Sequence, residues 1–389
     1  MNQQQLPPVD VVMLGTFAMW NLGTLQARAL PFARALQTRG VSAAIITTPW
    51  DMPGEAGIID VIDGIPVINT AATSAKFPLS AVRQQLDWIK RLQPRLLHVM
   101  KPKGFGGMTA KLASNNLPVI VDSDDWEGDG GWNDTGQYSW PQRKVFHYQE
   151  QDLLQRATAV TAASTFLFER TIAMRANQDP AVFLVENGLD DIWAGQLAIG
   201  RTLPPSLIDP PVIVLYSRFA EFGTDWLPQL IDALATNLDS PATLRLIGSL
   251  PEGTSLPDSP GLLTVETLGY VARNLIPELL GGATVAVYPY EDSLIARSKQ
   301  SVKLLELMAA GCPVVGSDVG DVSRTISSAG VTLSGANPAD FAGQVYALLS
   351  QPDRLDEMSL AGMERIRSHF SFDYLTGKLL TAYAAAGLT

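Results

Sequence analysis

The chain has 389 residues, of which 46% are hydrophobic and 17% charged, with a formal net charge of -11. The length implies about two or three domains, and the apolar content supplies material for real cores, while the acidic balance excludes a general nucleic-acid binder and broad attraction to anionic lipid. One cysteine, Cys312, excludes an internal disulfide, and with only His98, His147 and His369 beside it no ordinary zinc cluster can be assembled.

The opening MNQQQLPPVD has neither a basic region nor an apolar run, and no stretch approaches ~18 uninterrupted apolar residues. The expectation is therefore a cytoplasmic protein with no secretory signal and no spanning helix. Strand-like runs then alternate with amphipathic helices. VDVVMLG (9–15) precedes a helix through LQARALPFARALQTRG, and AAIITT (43–48) follows. IPVINT (65–70), a helix around 79–92, LLHVM (96–100), VIVDSD (119–124), AVTAAS (159–164) and VFLVENG (182–188) continue the series. Such βα alternation with short buried strands predicts a mostly parallel sheet covered by helices on both faces. The proline-rich LAIGRTLPPSLIDPP (197–211) reads as an interdomain linker. Alternation resumes with VIVLYSR (212–218), TLRLIG (243–248), LLTVETLG (262–269), ATVAVYPY (283–290), PVVGSD and GVTLSG, and helices fill the rest. Two doubly wound α/β domains in series are expected, over residues 1–200 and 201–370, with a terminal helix over 371–389.

The stretch SVKLLELMAAGCPVVGSDVG (301–320) carries the sharpest chemistry. Lys303 and Glu306 lie one turn apart at the start of a helix whose apolar residues have helical spacing. Gly311 and Pro313 stop it, and a buried strand follows. A cation and a carboxylate at a helix mouth suit a ligand with phosphates at one end and a diol at the other. A plain surface pair at i,i+3, worth about 0.2–0.5 kcal/mol, is the alternative. Arg218 stands at the carboxyl end of the first strand of the second domain, where open parallel sheets bind ligands and a guanidinium can bridge phosphate oxygens.

Three segments of the first domain draw notice. Trp20-Asn21-Leu22-Gly23-Thr24 follows the first strand, and glycine there lets backbone approach a ligand. Lys90, Arg91, Arg95, Lys101 and Lys103 form a local basic cluster, either solvated residues at element ends or a contact for an anionic acceptor or membrane surface. Within it, KPKGFGG (101–107) reads as a flexible connection, with anion binding by its lysines as the other reading. VDSDDWEGDGGWNDTGQYSW (121–140) crowds Asp122, Asp124, Asp125 and Glu127 at a strand end, followed by Trp126, Trp132 and Trp140. Its aromatic faces and carboxylates suit sugar surfaces and hydroxyls. A polar capping loop and a D-x-D metal site at Asp122-Ser123-Asp124 are the other readings.

The pattern Lys303, Glu306, Met308, Ala309, Gly311, Pro313, Val314, Val315, Asp318, Gly320 resembles the donor-site segment of GT-B glycosyltransferases, especially family 4. The resemblance implies two Rossmann-like domains facing each other across a cleft and a terminal helix crossing back onto the first. It implies a nucleotide-diphosphate sugar as donor, a saccharide or glycolipid acceptor, no cofactor and no metal. Transfer would proceed with retention, and the enzyme would be cytoplasmic with peripheral contact at the inner face of the membrane. By the same resemblance Gly23, Arg218, Lys303 and Glu306 would hold the donor, Asp124, Arg218 and Lys303 would serve catalysis, and Asp125 and Trp126 would face the acceptor. Asn187-Gly188 resembles the family's turn after the last strand of the first domain. Departures are plain: the family's Lys near Arg218 is replaced by Phe222, its first donor-loop Glu falls at Ser298, and EDSLIARSKQ replaces its glycine-rich loop. Arg297 and Lys299 in that loop are either solvated charges or contacts for an acidic sugar. The departures motivate the competing expectation of a nucleotide- or glycan-binding protein without turnover.

Overall fold

The computed structural model describes residues 6–388 apart from 21–22, 72–77, 136–137, 176–180, 220, 237, 255 and 257–260. Asn21 and Leu22 of the first glycine loop, and Ala220 beside Arg218, thus lie outside the described residues. The chain forms two compact units, residues 1–187 with 372–389, and residues 188–371.

The first unit contains β1 (Val11–Leu14), β2 (Ala43–Thr47), β3 (Ile59–Ile62), β4 (Ile65–Asn69), β5 (Leu96–Met100), β6 (Val119–Ser123), β7 (Ala159–Ala162) and β8 (Val182–Leu184). They form one sheet in the order β3-β4-β2-β1-β5-β6-β7-β8. Every pairing is parallel except β3 with β4. Alternate residues of β1 serve opposite cores: Val11 and Met13 pack in one, Val12 and Leu14 in the other. A strand buried on both faces reads as a continuous apolar run, as these do. The antiparallel edge strand β3 escaped the sequence reading because IDVI is largely exposed and breaks the βα rhythm.

The second unit contains β9 (Val212–Tyr216), β10 (Ala242–Ile247), β11 (Leu263–Gly269), β12 (Val285–Tyr288), β13 (Val314–Ser317) and β14 (Gly330–Leu333), all parallel, in the order β11-β10-β9-β12-β13-β14. Its two cores again lie on the two faces, Val214 in one and Ile213 and Leu215 in the other.

The break between units falls at Asn187/Gly188, earlier than the proline-rich stretch. Residues 197–200 end the helix Asp191–Gly200, which Asp190 caps by accepting from the Ile192 and Trp193 amides. Trp193 and Leu197 of that helix pack in the second unit's core. The helix Phe372–Ala385 joins the first unit, where Phe372 packs edge-on against Phe32 at 4.9 Å and Tyr383 is fully buried.

Candidate functional site

In the second unit the chain runs outward in one direction from β9 to β10 and β11, then returns to place β12 on the other flank of β9. Ligands of open α/β sheets lie at such a switch point, beyond the carboxyl ends of the strands. Tyr216 closes β9 and Arg218 follows, exposed. Past β12 comes the helix Val302–Ala309, whose N-cap Ser301 makes no side-chain capping bond. Its first amides therefore face outward without intrahelical partners. At its other end Gly311, at φ +67, completes the stop: the Cys312 amide donates to Leu307 and the Gly311 amide to Met308. That is the double closure of a helix that needs a left-handed residue. Cys312 itself is buried and donates to the Leu280 carbonyl, a core residue.

Lys303 sits 3.5 Å from the centre of the Tyr216 ring. Loss of hydration lowers its pKa to about 8; Glu306 opposes the shift, Arg218 reinforces it, and Glu221 opposes it. Glu306 is almost buried and its Oε1 accepts from Trp193 Nε1 at 2.8 Å. Tyr216 lies close to Glu306; burial first, then that carboxylate, pushes the phenol well above its usual range. Arg273 stacks 4.3 Å over Trp193. Glu221 accepts from Ser217 Oγ at 2.7 Å and from Lys299 Nζ at 3.4 Å. Arg218, Lys303 and Glu306 are thus one cluster. Two cations beside free helix amides can hold a diphosphate, because each charge-assisted bond offsets part of the desolvation. The loop expected at 291–300 contains a short helix, Leu294–Ser298. Arg297 pairs with Asp292 in solvent, whereas Lys299 is partly buried on Glu221.

In the first unit the expected site residues lie at the ends of β1, β5 and β6. Gly23 has φ +75, and a Cβ there would meet nothing within 4 Å, so backbone conformation alone demands glycine. The next residue, Thr24, donates to Asp124 Oδ2 at 3.5 Å. A π-helical turn, Leu25–Ala29, leads into the helix Leu30–Thr38 just before Pro31, which has no N–H to continue the regular ladder. That turn carries Arg28 inward. Its five N–H donors are all used, on both oxygens of Asp122, the Val185 and Glu186 carbonyls and Asn187 Oδ1. Asp122 also accepts from Thr161 at 2.6 Å. Asp122 is therefore engaged as a structural anchor, and the described residues hold no cluster of three or more His, Cys, Asp or Glu side chains placed for a metal. His98 beside it is neutral, its pKa lowered to about 4 by burial, and bonds Tyr383 and Thr161.

Lys101 and Lys103 are buried, which corrects the basic-cluster reading: only Lys90, Arg91 and Arg95 of that group are exposed. Lys101 Nζ lies 3.3 Å from Asp124, 2.5 Å from Asp125 and 3.2 Å from Glu127, and Lys103 pairs with Glu127 at 2.5 Å. Two ammonium groups face three carboxylates, and the excess falls on Asp124. Burial raises its pKa to about 7; Lys101 opposes this, while Asp125 and Asp122 add to it. Lys101 approaches Asp124 Oδ1 outside hydrogen-bond geometry, so that oxygen accepts no bond. The supposed flexible connection after Lys103 is the first turn of the helix Gly104–Ala113. A Cβ on Gly106 would stand 3.0 Å from the Gly15 carbonyl, so glycine lets this helix close onto the β1 loop. Trp126 is packed by its own chain: Arg170 covers its ring at 4.1 Å and its Nε1 donates to the Asp129 backbone carbonyl. Asp125 is held by Lys101 and by Trp132 Nε1 at 3.3 Å.

Sequence reasoning missed Tyr216, Trp193, Glu221 and Arg28. Tyr216 had a usable signal, standing two residues before Arg218 on the same side of an extended strand. Trp193 had none, since its partner Glu306 is 113 residues away.

The profile of the Glycosyl transferase 4-like domain matches residues 23–188 and that of Glycosyl transferases group 1 matches residues 210–351. The D-inositol 3-phosphate glycosyltransferase of Geodermatophilus obscurus is 29% identical over 201 residues, 49% of this chain and 40% of that protein. The alpha-maltose-1-phosphate synthase of Mycobacterium tuberculosis is 27% identical over 271 residues, 62% of this chain and 66% of that protein. The matches thus span less than two thirds of these relatives' own length. Among solved structures, sucrose-phosphate synthase from Thermosynechococcus elongatus has a TM-score of 0.68 at 16% identity, over 96% of this chain and 98% of that one. Anabaena HepE in complex with UDP and glucose has a TM-score of 0.64 at 15% identity, over 97% and 99%. With both halves matched in order and the same fold in these structures, the chain belongs to the family 4, group 1 glycosyltransferases of the GT-B fold.

Proposed function

We propose that the protein transfers a sugar, with retention, from a nucleoside-diphosphate sugar held by the second unit to a hydroxyl of a saccharide or glycolipid held by the first. The observation that carries this is the gathering of Arg218, Lys303 and Glu306 at the switch point of the second sheet, beside open helix amides. In the transfer the bond from the anomeric carbon to the diphosphate breaks, and a bond to the acceptor oxygen forms. The acceptor proton ends on the departing diphosphate. Arg218, Lys303 and the amides stabilise the charge that develops there. Glu306, held by Trp193, is fixed to accept from ribose hydroxyls. Asp124, just beyond the carboxyl end of β6, orients the acceptor hydroxyl through the small part of its side chain that stays exposed. No metal and no cofactor take part in this scheme. Contact with a membrane surface would rest on exposed residues such as Lys90, Arg91 and Arg95, since no described helix is long and apolar enough to cross a membrane.

UDP is the first nucleotide to test, because HepE was crystallised with it. A panel of nucleotide sugars, read by released nucleoside diphosphate with and without acceptor extracts, tests the proposal. Acceptor-dependent release supports it. Nucleotide binding without any release across the panel leaves a binding protein instead.

A further inference from the structure

The first unit holds a cavity of about 380 Å³ beside the β1 and β5 loops, lined mainly by apolar and aromatic side chains, among them Phe17, Trp50, Phe105, Met108, Val145 and Phe146. That volume is within the ~300–1,000 Å³ of ordinary small-molecule sites. Its polar lining is largely satisfied from within. Thr16 Oγ1 is within reach of the Met100, Lys101 and Lys103 carbonyls, and Trp50 Nε1 donates to the Thr16 carbonyl. Gln149 spans the amide and carbonyl of Gly104. Lys103 Nζ points to Glu127 and Asn133, with the rings of Phe17, Tyr138 and Phe146 at 5.6, 5.3 and 5.9 Å. Walls whose donors are already engaged discriminate against polar ligands and favour apolar ones. The cavity is also tied to Asp124: Lys103 shares Glu127 with Lys101, and Lys101 reaches Asp124.

We propose that this cavity receives the apolar aglycone, an alkyl chain or an aryl group, of the acceptor whose hydroxyl is oriented at Asp124. The assignment rests on the transferase reading above for the acceptor's role, but the cavity's preference for apolar matter is tested independently of turnover. An apolar, largely aromatic chamber joined to Asp124 through Lys103, Glu127 and Lys101 suits an amphiphilic alcohol or glycoside. Its polar head stays at Asp124 and its tail enters the chamber.

The probes are n-octanol for the alkyl arm, 4-phenylbutanol for the aryl arm and ethanol as control, each titrated by calorimetry into the 389-residue chain. Met108→Trp and Val145→Trp fill the chamber from two different helices, so one serves if the other fails to fold. Saturable binding of octanol or phenylbutanol, weakened at least tenfold in a folded filled variant and absent for ethanol, is expected. The stronger of the two probes identifies the tail class. Absence of binding by both long alcohols, or equal binding by wild type and a folded filled variant, overturns the assignment. If the alcohols bind as expected while no nucleotide sugar supports transfer, the transferase reading falls and the chamber stands. If transfer to glycosides is found but neither alcohol binds, the chamber assignment falls and the transferase reading stands.

Discussion

Lys303 offers the sharpest test of the donor site, because its charge is placed where a modest rise in pH removes it. Its pKa of about 8 reflects partial burial and the nearby Arg218, offset in part by Glu306 and Glu221. A diphosphate bound beside it favours the ammonium form, so the pKa rises in the complex. Linkage then fixes the sign: affinity is constant while the free protein is protonated and falls as pH passes 8. The dissociation constant for a nucleotide sugar, whose diphosphate diester does not titrate in this range, should be nearly flat from pH 6.5 to 7.5, about twofold weaker at pH 8 and about tenfold weaker at pH 9. Tyr216, the nearest phenol, titrates well above this window. Folding stability of the free protein runs the other way. The unfolded lysine keeps its proton to about pH 10.5, so between about 8 and 10.5 the unfolded state binds more protons and this group's contribution to stability rises with pH. Titration calorimetry at several pH values, with Lys303→Met alongside, checks the first statement, and denaturant unfolding of both proteins between about pH 7.5 and 10 checks the second. The variant should bind more weakly but without the loss between pH 8 and 9. A wild-type affinity unchanged from pH 7 to 9, or the same slope in the variant, would refute the placement of phosphate at Lys303.

The other expectations concern separate groups. Glu306→Gln should weaken nucleotide binding by about 1.5–3 kcal/mol if ribose is bonded there, since that is the range for a bond to a charged group; Trp193→Phe, which frees Glu306 from its indole, separates loss of position from loss of charge. Arg218→Ala should lower turnover with little change in melting temperature, because the side chain is exposed, and wild-type rates would remove it from the site. Asp124→Asn should stabilise the protein more at pH 8 than at pH 5: the raised folded-state pKa means stability is lost as pH climbs from about 4 to 7, and the amide abolishes that loss. Arg28→Met should cost about 3–5 kcal/mol in denaturant unfolding by leaving Asp122 buried and unpaired, whereas Arg28→Met with Asp122→Leu should recover most of it. A chelator should leave transfer intact, and abolition by EDTA would return attention to the carboxylates.

Legibility in the sequence followed the range of the interactions. Strands such as VVML and VIVLY are announced by their own apolar runs, and the stop at Gly311 by its neighbours in the same turn. The same holds for Lys303 and Glu306, one turn apart on one helix. By contrast, Asp122 and Arg28 are 94 residues apart, and nothing in the local pattern of either shows that the carboxylate is spent on a buried guanidinium. Lys101 and Lys103 look like solvated charge because their carboxylates follow a whole helix and strand later. Pairing across a sheet is decided by strand order, which single-sequence patterning does not specify.

The helix Phe372–Ala385 has a consequence for how the polypeptide matures. It supplies Phe372, Leu375, Leu379, Ala382 and Tyr383 to the apolar interior built around β1 and the helix Leu30–Thr38, yet it is synthesised after all of residues 188–371. The later-coded body is continuous in sequence, whereas the earlier-coded one keeps an open apolar trough until residues 372–385 are available to fill it. A chaperone that shields that trough, or an expression fragment ending near residue 187, would therefore meet the same unfinished surface.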